Sequence, residues 1–535
     1  MHLYHENISS QLRTKINHYK IFKELPFLPE ERESTTILLG GFTMKHDLLV
    51  RAAIEGLGYK VEHLPTPQIQ AYHTGREFCN NGMCNPAYFT IGNLIQFLFH
   101  LVQKGMTKEE ILKKYVFLTV GACGPCRFGM YENEYRLALR NAGFDGFRVL
   151  VFQQVSGFKQ TDENSGLVMN EEFFLGIIKA ILIADLLNDF FYKVKPYEIN
   201  QGETDLVLNK LVKNIYNDLK NEQKILNSLL KKIKLNDYKL YFLIIRELLV
   251  NKYRRSLSIA RNEMKKIQVD NLREVPIVKI TGEFWAQTTE GDGNFKIFKY
   301  LLNEGCEVII EPIMNWLLYL LFDANQYLTD RRKITYKNFP KKVSYYKNKI
   351  LIKIAEDLIN KEYNKFRKYF LDIPEKLSNQ YILAEIANPY YNNHAKGGEG
   401  HLEVAKSIYY TKNFLAHMIL SVKPFGCLPS TQSDGVHALV TAKYPEMIFL
   451  PIETSAEGEI NAYSRVQMAL SEAKQKCKTE IEYAYERTSL KKEKIKEFLF
   501  KHPEYMQAGF KIKRLPGVIS RTANFIYYIK GIINK

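Results

Sequence analysis

The chain reads as an α/β protein: Rossmann-like parallel-sheet domains carrying helical insertions. Three observations predict this. Short apolar runs stop at Gly or Pro and are separated by helical patterns of about 10–15 residues, the rhythm of βαβ units. That rhythm gives way to a long Leu-, Ile- and Lys-rich stretch and afterwards resumes twice. Of seven cysteines, the five at 79, 84, 123, 126 and 427 lie in Gly-, Pro- or Asn-rich loops beside expected strands. A parallel sheet gathers the loops at the carboxyl ends of its strands along one edge.

The elements follow in chain order. "TTILLGGF" (Thr35 to Phe42) is a buried strand stopping at a Gly-Gly turn, and "HDLLVRAAIEGLG" (His46 to Gly58) is a helix stopping at Gly58. "KVEHLP" alternates as a strand and stops at Pro65. A loop with Cys79 and Cys84 then opens into the helix "AYFTIGNLIQFLFHLVQKG". The strand "KYVFLTV" (Lys114 to Val120) runs into a second loop with Cys123 and Cys126. The helix "YENEYRLALRNAGF" and the strand "FRVLVF" (Phe147 to Phe152) follow. Residues 175–271 read as helical. "VPIVKITGEFW" restores a strand at 275–285, and "GDGNFKIFKYLLNEGCEVIIEPI" adds helix, turn and strand. Residues 325–390 are basic, Tyr-rich and helical. "GEGHLEVAKSIYYTKN" is a helix, "FLAHMILSVKPFGC" a strand ending at Cys427, and "EMIFLPIE" another strand.

This pattern divides the chain into an N-terminal extension (1–34), a first α/β domain with the cysteine loops (35–195) and a helical linking region (196–272). A second α/β unit (273–325), a basic helical region (326–395), a third α/β unit with Cys427 (396–478) and a basic helical tail (479–535) complete it. A length of 535 residues fits about two to four domains. No apolar run reaches the roughly 18 residues of a membrane span, and the first residues lack a signal-peptide pattern. A soluble, cytoplasmic protein is expected, with no membrane partner. The net charge of +17 comes mostly from Lys spread over helix faces. No arginine-rich stripe with interleaved aromatics marks a nucleic-acid surface.

In a reducing compartment, clustered cysteines read as metal ligands or redox groups rather than disulfides. Cys79, Cys84, Cys123, Cys126 and Cys427 are the candidate ligands. Thiolates at helix N-termini gain from the dipole, and soft thiolates select iron–sulfur clusters, zinc or copper(I). "CGPC" also fits half a zinc ribbon or a thioredoxin-like redox pair, although the distance to Cys427 in sequence suits a site between domains better. Cys306 and Cys477 read as core thiols. Arg127, Gln153 and Gln154 could line such a site or be solvated. Glu399 and His401 in "GGEGHLE" are polar loop candidates, with helix capping the plainer reading.

The stretches "EFCNNGMCNPAYFTIGNLIQFL", "GACGPCRFGMYENEYRLALRNAGF" and "PFGCLPS" resemble the iron–sulfur family of 2-hydroxyacyl-CoA dehydratases and benzoyl-CoA reductase subunits, closest to its activase-related branch. "TGEFWAQTTEGDGNFKIFKYLLNEGCEV" and "GEGHLEVAK" resemble further family stretches, so the likeness spans residues 35–190 and 275–475. It implies a [4Fe–4S] cluster held between domains by Cys84, Cys126 and Cys427. Cys79 and Cys123 are extra, as a fourth ligand or toward a double-cubane cluster, which would also need Cys306. It further implies low-potential electron transfer, as a reductase or dehydratase component. The electrons would come from a separate ATP-dependent activator of the sugar-kinase/actin type and serve an acyl-CoA or other small-molecule substrate. No phosphate-binding loop of either nucleotide type occurs in this chain. The alternative is a zinc-stabilised α/β scaffold or binding protein without redox activity.

Overall fold

The computed structural model describes residues 24–122, 126–154, 160–161, 164–230, 253–336, 338–395, 400–455 and 457–533. Among these residues, eight strands form two four-stranded sheets, parallel throughout. The first holds β1 (Thr36–Leu39), β2 (Lys60–His63), β3 (Tyr115–Gly121) and β4 (Val149–Gln153) in the order β2-β1-β3-β4. The second holds β5 (Ile277–Gly282), β6 (Glu307–Ile309), β7 (Met418–Pro424) and β8 (Phe449–Thr454) in the order β6-β5-β7-β8.

The expected α/β class therefore holds. The second and third α/β units do not stand apart, because β5 and β6 from one pair with β7 and β8 from the other in a single sheet. The expected boundary at 478 falls inside one continuous helix, Glu459–Thr488. Several helices escaped the sequence reading, among them Ile313–Asp330 and Leu428–Lys443 in the second lobe and two in the first. One is Ile69–Phe78, before the first cysteine; the other is Lys108–Lys114, started by a Thr107–Glu110 capping box.

Both sheets are covered on both faces, so their strands are apolar in both registers. In the first, Ile37, Leu39, Val116 and Leu118 face the helices Met44–Gly56, Glu171–Val194 and Glu203–Leu230. Leu38, Phe117 and Val149 point the other way, into Ala87, Ile91, Ile95 and Tyr135. In the second, Val278, Ile280, Leu420 and Val422 pack against the Glu459–Thr488 helix, while Ile277, Ile309 and Ile419 pack against the Gly400–Lys412 helix.

The long Glu171–Val194 helix joins the lobes. Its buried Asp185 carboxylate receives the His46 ring of the first lobe at 3.0 Å. The same carboxylate caps the Ile313–Asp330 helix by accepting the Ile313 and Met314 amides, each at 2.9 Å. No helix among the described residues is long and apolar enough to cross a membrane.

Candidate metal centre

The carboxyl ends of the two sheets meet across a cleft. Ties between the lobes cluster there. The Asn85 amide donates to the Thr454 carbonyl at the end of β8. The Ile69 amide donates to Asp292 at 2.8 Å, and the Phe89 and Trp285 rings lie 5.8 Å apart. Arg127 reaches from the first lobe to the Gly426 carbonyl of the second at 2.8 Å.

Three of the predicted cysteines stand at this junction, each at a helix start. Cys84 is the N-cap of the Asn85–Gln103 helix, with Pro86 in its first turn. Cys427 is the N-cap of the Leu428–Lys443 helix, with Pro429 in the equivalent place. Cys126 precedes the 3-10 turn Arg127–Met130. Gly426, at φ +77, turns the chain from β7 into the Cys427 loop.

Cys84 and Cys427 are buried and Cys126 is half-buried. The Cys84 sulfur lies 2.9 Å from the Tyr131 hydroxyl, and that hydroxyl is also in electrostatic reach of Cys126. Cys427 is in turn within reach of Cys126 and of the Glu283 carboxylate, which also faces Cys84. Among the described residues no disulfide joins any of the six cysteines.

Burial sets the electrostatics of these thiols. It pushes Cys427 up to about 12, with Glu283 adding to the effect and Ser430 opposing it. It also pushes Cys84 up, against the Tyr131 hydrogen bond. A helix N-terminus was expected to favour thiolates, but desolvation outweighs it in the free thiols. Burial raises Glu283 as well, against hydrogen bonds from the Ala286 and Trp285 amides. Glu283 follows Gly282, which ends β5, and its carboxylate accepts the Ala286 amide at 3.0 Å.

The other candidates fare differently. Cys79 ends the Ile69–Phe78 helix and is buried against Glu134 and Tyr135, whose fields reach it. Cys306 and Cys477 lie in the cores of the second lobe, as read from the sequence. Cys123 and Glu399 lie outside the described residues. Gln153 exchanges hydrogen bonds with Gln160 through its backbone, at 2.7 and 2.8 Å. The Gln154 amide bonds the Gly121 carbonyl. Both glutamines thus form bonds at the end of β4. His401 lies in the first turn of its helix, buried against Tyr319 and Phe322.

Sequence reasoning assigned no role to Glu283 or Tyr131. Each stood inside a quoted motif, "TGEFW" and "FGMYENEY", next to a strand end or a cysteine loop. That adjacency was the available signal.

Beside the cysteine loops opens a cleft of about 930 Å³ lined by Arg76, Tyr88, Arg127, Phe425 and Arg465, among others. Behind it, Glu403, Asp434 and His437 bring ligand-type atoms together. The Lys423 ammonium already occupies that set. It lies 3.1 Å from Glu403 and bonds Asp434, so a lysine supplies the cation there. His437 hydrogen-bonds the Ser433 carbonyl at 2.8 Å and stacks on Phe449. No protein-family model matches this chain, and no curated protein matches it.

Proposed function

We propose that the chain is an iron–sulfur protein that carries low-potential electrons as a reductase or dehydratase component. In this reading Cys84, Cys126 and Cys427 hold a [4Fe–4S] cluster between the two lobes. The observation that carries it is the approach of Cys84 and Cys126 of the first lobe to Cys427 of the second, some three hundred residues on, at the facing carboxyl ends of two parallel sheets. The donor set suits iron and sulfide: soft thiols, shielded from water, at positively polarised helix starts. Among the described residues, the one group of three or more ligand-type atoms within 4.8 Å of one another is Glu403, Asp434 and His437, and it holds no cysteine.

Such a cluster supplies one-electron transfer. The chain's own residues do the rest. Arg127 clamps the Cys126 loop to the Cys427 loop, and burial keeps water from the Cys84 and Cys427 sulfurs. Met130, Phe425 and Leu428 stay 56%, 61% and 44% exposed around those loops. They offer an apolar rim for a protein electron donor, for which an ATP-dependent activator of the sugar-kinase/actin type is our candidate. The adjoining cleft, with Arg76, Arg127 and Arg465, is where an anionic small molecule such as an acyl-CoA would enter.

Anaerobic purification of the full chain tests this. Iron, acid-labile sulfide and a broad visible absorbance are expected together. Cys84→Ala, Cys126→Ala and Cys427→Ala should each remove most of all three signals, while Cys79→Ala should retain them. One zinc per chain with no sulfide would replace this reading with the zinc-stabilised scaffold.

A further inference from the structure

We propose that Tyr131 is a positioning residue of the cysteine site, its phenolic O–H donating to the Cys84 sulfur and raising the reduction potential of the cluster that this sulfur holds. The assignment rests on the iron–sulfur reading above.

The geometry is direct. The Tyr131 oxygen lies 2.9 Å from Cys84 Sγ. The residue is buried, and a buried hydroxyl needs a partner. The described residues give it this sulfur. Tyr131 opens the Tyr131–Asn141 helix, and its ring packs edge-on against Phe128 at 5.1 Å, so the hydroxyl has little freedom to turn elsewhere. Its field also reaches Cys126 and Glu283.

The direction of the bond follows from chemistry. A phenol ordinarily keeps its proton at neutral pH. A metal-bound thiolate has no proton to give and can only accept. Tyr131 is therefore the donor. Reduction adds negative charge to the cluster and its sulfurs, and a fixed donor stabilises that state more than the oxidised one. The hydroxyl makes the group easier to reduce. The same contact explains why a ring stands at this position with its polar tip turned inward.

The test uses the full chain, purified anaerobically, and potentiometric titration followed by electron paramagnetic resonance. Tyr131→Phe removes one oxygen and keeps the ring. Its iron and sulfide content should match the parent, and its midpoint potential should be more negative. Site-specific 3-fluorotyrosine at position 131, a stronger donor of nearly the same shape, should shift the potential the opposite way. This second form decides the matter if Tyr131→Phe does not fold. A purely structural hydroxyl would lower stability in Tyr131→Phe and leave both potentials at the parent value, which overturns the assignment alone. A parent chain without iron and sulfide overturns the cluster reading and this assignment with it.

Discussion

Two cysteines five positions apart illustrate how a residue's chemistry depends on where its side chain ends up. Cys79 and Cys84 share one polar loop and look equivalent by spacing. Cys84 becomes a helix N-cap facing Tyr131, whereas Cys79 ends the preceding helix against Glu134. Spacing placed both in the right loop but carried no information on which sulfur faces the second lobe, because that lobe begins some two hundred residues later. His401 makes the complementary case. Read as a polar loop residue or cap, it is buried among Tyr319 and Phe322, near Lys406, with Asp323 the acidic group in reach. Burial, helped by Lys406, pulls its pKa from 6.5 down to about 4. The unfolded chain therefore takes up this proton first as pH falls. Stability from the neutral ring is complete above about 6.5 and is lost progressively toward pH 4. A shift of this size is worth at most about 3 kcal/mol. His401→Phe, which keeps an aromatic ring in the slot, should flatten that part of the pH profile. Urea midpoints at pH 5 and 7.5 should then differ less in the variant than in the parent.

The helices that carry the first cysteine loop touch backbone to backbone at their crossing, with Tyr72 against Tyr88 and Phe89, and Phe78 against Phe99, beside it. A Cβ on Gly92 would lie 1.8 Å from the Ala71 carbonyl oxygen, and one on Gly75 would lie 2.0 Å from the Tyr88 carbonyl oxygen. The Ile69–Phe78 and Asn85–Gln103 helices thus touch main chain to main chain. This is why the first of them was missed: "IQAYHTGREF" has no strong apolar stripe, since its fully buried positions are Ala71 and Gly75. The long second helix, with its continuous apolar face, was plain from its periodicity. Gly92→Ala must push the pair apart and should cost at least about 1–3 kcal/mol as overpacking, read as a lower urea midpoint. The Cys84 end of the helix moves with it, so iron content should fall in the same variant. An unchanged midpoint would show that the close approach is not needed.

Across the whole molecule, the βα rhythm announced the parallel sheets, but not that its last two stretches form one sheet. β5 and β7 pair although about 135 residues separate them, with a basic helical excursion in between. No local pattern encodes a partner at that distance. The same long-range closure builds the candidate centre. The turn at Arg127 meets the loop after β7 at the Gly426 carbonyl, and the Glu171–Val194 helix, through Asp185, helps to fix one lobe against the other. The net charge of +17 lies outside the first lobe: residues 1–200 balance 21 Lys and Arg against 21 Asp and Glu, and the excess sits in residues 201–350 and 501–535. The central claim is that the junction of the lobes, and not either sheet alone, holds an iron–sulfur group. Crystals grown anaerobically and measured at the iron absorption edge test it most directly. An anomalous peak enclosed by the sulfurs of Cys84, Cys126 and Cys427 is the predicted result; a peak elsewhere in the chain, or a zinc-edge signal at the junction with none for iron, would contradict it.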